Sequence, residues 1–557
     1  MRSICLYFQV HQPFRLRTYR FFNIGDDHQY YDDYQNRQIV RRVADKCYIP
    51  ANKMMLELIR EFGSAFKLSF SISGTALEQL SNHAPEVIHS FRKLADTGCV
   101  EFLAETYSHS LASLGNRDEF IRQVDQHGKM IEHLFGQKPT TFRNSELIYS
   151  NKIGEMVSEM GFTTMMTEGA KHILGWKSPN YMYCSSTNPK LKLLLRNFRL
   201  SDDIAFRFLA REWSEWPITA EKFTGWLNGI DAREEVVNIF IDYETIGERL
   251  WKETGIFDFF KALPKTVFSK SNFTFNTPSE LTHKLQPVAL IHVPYPISWA
   301  DEERDLTSWL GNELQDEAFS KLYALADSVQ KCKDKNIQKD WQYIQTSDHF
   351  YYMCTKWFSD GAVHKYFNPY PSPYEAFINY MNVLSDFMIR VEQANSRTFS
   401  INTIKMKEGT PEQLSKKKLA KPNTAIRKLK ILENVKTSQA LSKDKTKARK
   451  VQEEAENQKH KGTIITREKE FKPMNFEDII GLSDRMIKKI IKDIDIETVS
   501  TAMKGADKGI KEKVEKNLGK RALKTYLEIL EQLKKLSASE IMKSREIIAK
   551  QLRKHAK

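Results

Sequence analysis

Residues 1–265 repeat one pattern. A short β-branched or aromatic run ends in a polar residue, and a helix-like stretch follows. The runs are 4–10, 67–72, 100–104, 140–144, 163–167, 191–198 and 236–241, seven candidate strands in all. Amphipathic stretches such as 51–62, 84–97 and 152–160 lie between them, the last followed by Gly161 at an expected helix stop. Strands alternating with helices predict parallel βα units. Seven or eight such units close into a TIM-like barrel, and pattern alone leaves an open doubly wound sheet as the alternative.

The rest of the 557-residue chain changes character twice. Residues 266–400 read as a mostly helical domain rich in Trp, Tyr and Phe, with helices expected over 313–328 and 374–393. Residues 401–473 are dominated by Lys and Arg, and aromatics are absent until Phe471, which predicts a basic disordered linker. Residues 474–557 regain apolar positions at helical spacing, among them Ile479, Ile487, Ile490 and Ile494. Asp495 and Asp507 suit N-caps, Gly505 and Gly519 suit helix stops, and Ser537 with Glu540 forms a capping-box pattern. A small all-α bundle is predicted there. Charge divides along the same line. Residues 401–557 hold 40 Lys+Arg against 22 Asp+Glu, a net of +18, so the whole-chain net of +14 leaves −4 for residues 1–400. Separate modules with separate partners are expected.

Six cysteines, all before residue 400 and without paired spacing, read as reduced thiols and not as a disulfide framework or zinc site. The N-terminus has no small-residue cleavage site, and no run of about 18 apolar residues is present. A cytoplasmic protein without a transmembrane segment is the expectation.

A barrel builds its active site at the C-terminal ends of its strands. The polar residues at or just after those ends are His11, Gln12, Ser73, Glu105, His109, Glu146, Glu168, Asp202, Asp203, Asp242 and Glu244. Two carboxylates on different strand ends suit glycoside hydrolysis, in which a retaining enzyme sets them about 5 Å apart. One attacks the anomeric carbon; the other gives a proton to the leaving oxygen and later takes one from water. Tyr107, Tyr149, Trp176 and Tyr243 are aromatics placed to stack on sugar rings. The same residues permit a rival: His11, His109, Asp202 and Asp242 as ligands of a divalent metal in a metal-dependent carbohydrate deacetylase. No H-x-x-H or H-x-x-x-H pair supports it at these positions.

Seven stretches then point to one family. YFQVHQPFRL, GCVEFLAETYSHSLASL, FRNSELIYSNKIGEM, RNFRLSDDIAFRF, IDYETIGERLWKETGIF, WADEERDLTSWLGNELQ and TSDHFYYMCTKWFSDGAVHKYFNPYPSPYEAFINYMN run in order over residues 1–390. Together they resemble glycoside hydrolase family 57, close to its α-amylase-type members. The resemblance implies an incomplete (β/α)7 barrel completed by a helical domain, retaining and metal-independent action on α-glucans, and no cofactor. By motif, it makes Glu146 the nucleophile and Asp242 the acid/base. His11 and His109 line the sugar site nearest the cleaved bond, and Glu105, Trp176, Asp203 and His349 are further sugar contacts. Hydrolysis of maltooligosaccharides, starch or glycogen is implied, with 4-α-glucanotransferase action as the alternative at the same site. Arg249 and Ala362 depart from the family pattern, which expects His and an acid there.

The stretch NFEDIIGLSDRMIKKIIKDIDIETVSTAMKGADKGIKEKVEKNLGKRALKTYLEILEQL resembles the C-terminal domain of the flagellar rotor protein FliG. The signs are FEDI, the DRxI-type helix, D-x-x-x-V-x-x-A-M-K-G-A and KNLGKRA, although LKKLSAS replaces the expected GP pair. The resemblance implies a protein-interaction module with Arg485, Lys488, Lys489 and Asp495 near its contact surface. An interaction or scaffold protein with a relic barrel is the competing class, and the presence of both catalytic-type carboxylates opposes it. Non-specific polyanion contact through 401–471, fading with salt, is also expected.

Overall fold

The computed structural model describes residues 2–356 and 368–407 and, further on, 479, 487–490, 494–532 apart from 505 and 507, and six residues between 544 and 551. The chain forms two compact units, Met1–Gln413 and Leu414–Lys557.

Ten strands are present among the described residues of the first unit: β1 (Arg2–Val10), β2 (Leu68–Ile72), β3 (Val100–Phe102), β4 (Thr141–Arg143), β5 (Thr164–Glu168), β6 (Met182–Ser185), β7 (Lys192–Arg196), β8 (Val236–Asp242), β9 (Phe273–Phe275) and β10 (Leu290–Ile291). They form two sheets, one ordered β3-β2-β1-β8 with β9 also on β1, the other β10-β6-β7-β5-β4. Two seams join them. Ala104 bridges Phe142, donating to Thr141 O at 3.0 Å and accepting from Arg143 N at 2.9 Å. Asn197 N donates to Asn238 O at 2.9 Å, and Asn238 Nδ2 donates to Leu195 O at 2.8 Å. The seven strands read from the sequence therefore close in chain order into a ring, not an open doubly wound sheet. The ring is split where antiparallel β6 occupies part of the β7 edge. β9 and β10 carry the sheets past residue 265 into the stretch read as helical.

Side-chain parity decides what reaches the mouth of the ring. In β1, Ile4, Leu6, Phe8 and Val10 pack with the surrounding helices, whereas Cys5 and Tyr7 fill the interior with Leu103, Leu147, Met166, Leu194 and Phe240. A strand buried on both faces reads as an unbroken apolar run. Because successive side chains alternate sides, the inward series of β1 continues to Gln9, and those of β7 and β8 to Arg196 and Asp242. Polar residues inside the ring thus concentrate at one end.

Helices Glu313–Tyr323, Ala326–Gln330, Lys335–Ile344, Ser347–Tyr351 and Pro373–Lys407 pack around a second apolar core that includes Trp309, Trp341, Tyr380 and Phe387. The last helix runs beyond 374–393 and enters the stretch read as a disordered linker; residues 408–473 of that stretch lie outside the described residues. The N-terminal arm is tied to this helix: Asn379 Oδ1 accepts from Tyr19 N at 2.6 Å, and Asp386 accepts from Gly25 N at 2.7 Å. All six cysteines are buried thiols. No described helix is long and apolar enough to cross a membrane.

In the second unit, helices Ile496–Met503, Lys508–Asn517 and Lys520–Gln532 enclose Ile487, Ile490, Val499, Met503, Val514 and Tyr526. Asp495 caps the first, accepting from Thr498 N at 2.7 Å. Gly519 separates the last two, whereas Gly505, Asp507, Ser537 and Glu540 lie outside the described residues.

Candidate active site

Glu146 sits just past β4, in the turn Ser145–Leu147, with φ 56° and ψ 23°. Leu147 (φ 53°) and His109 (φ 50°) share the left-handed region. For non-glycine residues each such conformation costs about 1–3 kcal/mol and persists only where surroundings impose it. Here three donors converge on the Glu146 carboxylate. Trp299 Nε1–H reaches Oε2 at 2.8 Å, Ser347 Oγ–H reaches Oε1 at 2.9 Å, and His109 Nε2 lies 3.3 Å from Oε1. Burial raises the Glu146 pKa, but the His109 hydrogen bond and charge outweigh it, leaving the carboxyl below its usual range. Glu146 is an ionised group.

His109 is the cation that makes this possible. Its Nδ1 bonds Glu105 Oε2 at 2.8 Å, so the ring bridges two carboxylates. Burial drives its pKa down, but Glu105 and Glu146 carry it up to about 9. Glu105 is fully buried, and despite that burial His109 holds its carboxyl at about 2. Gln9 Nε2 donates to it at 3.1 Å. Glu105 has no surface of its own and reaches the cavity wall only through His109. The His11 ring stacks on His109 at 4.1 Å between centroids. Burial and the His109 charge lower the His11 pKa, so His11 is neutral: Nδ1 accepts from Ser73 Oγ at 2.7 Å, and Nε2–H donates to Asp348 Oδ2 at 2.8 Å.

Asp242 ends β8. It is one-third exposed and paired with Arg249, whose Nη2 lies 3.3 Å from Oδ2. Arg249 also donates to Thr245 Oγ1 at 2.6 Å. Gly247, between the two, has φ 103°; a Cβ there would sit 2.1 Å from Lys46 O, so only glycine closes this turn. Glu244 accepts from Tyr48 Oη, and burial with the neighbouring Asp242 charge pushes its pKa up to about 7. On the far wall, Asp202 is held by Arg196 Nη2 at 2.6 Å and Arg304 Nη2 at 2.7 Å, and Glu168 by Arg196 Nη1 at 3.1 Å.

His11, His109, Glu146, Asp202, Asp242, Glu244, Trp299 and Asp348 line one cavity of about 1610 Å³. β4 and β8 are separated by two strands one way round the ring and three the other, so Glu146 and Asp242 enter it from opposed strands.

Other residues read from the sequence fall elsewhere. Asp203 is paired with Arg207 and leaves the wall to Asp202, one position earlier on the helix Phe198–Phe206. His349 is buried against Tyr380, with burial pushing its pKa down to about 4; its neighbour Asp348 lines the cavity. Trp176 is 93% exposed, beyond Lys171, His172 and Gly175, which line the cavity. Ala362 lies outside the described residues. The four residues of the metal reading do not form one ligand set, although His11 stacks on His109. Asp202 is engaged by two guanidiniums, both His109 nitrogens face carboxylates, and among the described residues no group of three or more His, Cys, Asp or Glu is arranged to hold a metal ion. Strand ends did not reveal Ser347, Asp348 or Trp299, which the helical part and the segment after β10 deliver to the mouth.

Residues 5–294 match the profile of Glycosyl hydrolase family 57, and residues 467–557 that of the FliG C-terminal domain. A protein of Methanocaldococcus jannaschii named "Putative alpha-amylase" is 40% identical over 439 residues, covering 76% of this chain and 92% of that one. The flagellar motor switch protein FliG of Aquifex aeolicus is 43% identical over 83 residues, 15% of this chain, and the match spans a quarter of its length. A GH57-type branching enzyme from Pyrococcus horikoshii shares the fold at a TM-score of 0.50 and 14% identity, over 69% of this chain and 96% of that one. The chain belongs to glycosyl hydrolase family 57, and its residues 467–557 resemble the FliG C-terminal domain.

Proposed function

We propose that the barrel unit is a retaining, α-amylase-type enzyme that hydrolyses α-1,4-glucosidic bonds of maltooligosaccharides, starch or glycogen. One observation carries this reading. Glu146 is partly buried, ionised and held by three donors, while Asp242 enters the same cavity from an opposed strand, more exposed to solvent. A fixed carboxylate suits attack on the anomeric carbon, giving a covalent glycosyl-enzyme and freeing the leaving sugar. A carboxyl group in contact with solvent suits the acid that protonates that leaving oxygen and, as the carboxylate so formed, takes a proton from water in the second step. His11 and His109 border the point of cleavage, and His109 keeps Glu146 deprotonated. Incubation with maltotriose tests the reading: glucose and maltose are expected as the accumulating products. Accumulation of maltotetraose and longer chains from the start would assign transfer to a sugar hydroxyl, as in a 4-α-glucanotransferase.

For the Leu414–Lys557 unit we propose a protein-contact role. The match to the FliG C-terminal domain supports it, as do Lys488 and Lys489, both exposed beside the buried Ile487 and Ile490. Affinity capture with the full chain should recover a protein partner that the Lys488→Glu/Lys489→Glu variant loses. Identical capture by both would remove this surface from the proposal.

A further inference from the structure

Trp299 belongs to no strand and no helix, yet two of its hydrogen bonds end on Glu146. Its backbone N–H donates to Glu146 O at 3.2 Å and its indole N–H to Oε2 at 2.8 Å. Two guanidiniums bear on the same indole ring, with Arg143 Cζ 4.9 Å and Arg196 Cζ 5.6 Å from its centroid. The two arginines are not alike. Arg196 is fixed by Glu168, Asp202 and the Phe240 carbonyl, its Nε donating to the last at 2.8 Å. Arg143 ends β4, three residues before Glu146, and is fully buried. None of its three side-chain nitrogens has a hydrogen-bond acceptor among the described residues. A guanidinium without acceptors in a closed interior is costly unless it meets something else that welcomes a cation. The face of a tryptophan does so, most strongly when water is excluded.

We infer that Trp299 is a positioning residue for Glu146, and that Arg143 and Arg196 hold its indole where the ring N–H meets Oε2. This rests on the reading of Glu146 as the nucleophile. A glutamate carboxylate turns easily about its last bond. Ser347 and His109 both address Oε1 and so leave that rotation open. A donor on Oε2 closes it, fixing the plane in which an oxygen approaches the anomeric carbon. Small losses of such alignment cost rate and spare binding. Arg143 contributes twice, by holding the ring and by placing a positive charge near Glu146 that favours its ionised form.

The test is a double-mutant cycle. Trp299→Phe keeps an aromatic ring for the guanidiniums and deletes the N–H. We expect kcat on maltooligosaccharides to fall roughly 10- to 100-fold with KM nearly unchanged. The acid limb of the pH profile should move to higher pH, because the ionised carboxylate has lost a donor. Arg143→Met should lower kcat similarly, and the double variant should be no worse than the worse single one. Arg143→Lys should recover part of the loss, and it replaces Arg143→Met in the cycle if thermal melting shows that variant unfolded. Wild-type kcat in Trp299→Phe would overturn the inference, as would a raised KM at constant kcat or losses that multiply. Labelling with a fluorinated glucosyl fluoride, mapped by mass spectrometry, separates the two claims. A label on a residue other than Glu146 removes the nucleophile reading itself. A label on Glu146 that forms as fast in Trp299→Phe as in wild type removes only the positioning role.

Discussion

Glu146→Gln lowers kcat on maltooligosaccharides by on the order of 10⁴-fold or more and leaves the fold intact. The amide matches the carboxylate in shape and occupies the same left-handed turn, so the backbone geometry at φ 56° is retained. What it lacks is the charge. An uncharged amide has no lone pair fit to form the glycosyl-enzyme ester, and because its NH2 group cannot accept, either the Trp299 N–H or the Ser347 hydroxyl is left without its acceptor. The stability cost is modest, about 1–3 kcal/mol, the range for a buried donor left without its acceptor. A pH profile of the wild type supplies a companion check. His109 is protonated up to about pH 9 because Glu105 and Glu146 outweigh its burial. As pH rises through about 9 it loses the positive charge beside Glu146 and keeps one N–H for two carboxylates, and activity falls. In Glu146→Gln one of the two carboxylates is gone, so the His109 titration moves to lower pH, which NMR of the imidazole reads directly. A kcat within tenfold of wild type would sink the assignment of Glu146.

The parts of this site that the sequence discloses obey the two-residue repeat of a strand. His11 after β1, Glu105 after β3 and Asp242 at the end of β8 are polar residues continuing an inward series, and an apolar run that stops at a polar residue marks them. The missing parts obey no such repeat. Ser347 and Asp348 lie some two hundred residues beyond Glu146, on a five-residue helix whose sequence resembles any solvated turn. Trp299 sits on a segment between β10 and the helical part, where an aromatic carries no positional signal. Asp202 and Asp203 are adjacent, and a helix turns about 100° per residue, so only one can face the cavity. β6, β9 and β10 hold two to four residues each, too few for a periodic pattern to emerge. Trp176 follows Gly175, whose φ of 60° turns the chain outward, and an exposed tryptophan then reads in the sequence like a sugar platform. The charge asymmetry, by contrast, needs no geometry to be read, and it falls on the FliG-like side of the chain.

Asp242→Asn separates the two halves of the reaction. On maltooligosaccharides the leaving group is a sugar alkoxide that needs a proton, so kcat falls about 10²- to 10⁴-fold, the range for losing a general acid. On α-glucosyl fluoride the leaving group departs without a proton, so attack by Glu146 proceeds at close to its wild-type rate. The second step then lacks its base, since water must give up a proton as it attacks the glycosyl-enzyme. The intermediate accumulates, and intact-protein mass spectrometry shows a chain heavier by one glucosyl unit within the first turnovers. Arg249 loses its charged partner in this variant but keeps Thr245 Oγ1, so the turn closed by Gly247 persists and the change reports on chemistry more than on folding. The same variant tests Glu244, whose raised pKa depends on the Asp242 charge after burial. With that charge removed, its titration moves down from about 7, and any near-neutral inflection in the pH profile moves with it. If Asp242→Asn loses activity equally on maltooligosaccharides and on α-glucosyl fluoride, with no covalent species accumulating, then Asp242 does not carry the proton and the acid/base must be sought among the other carboxylates that line the cavity, Glu244 and Asp348 first.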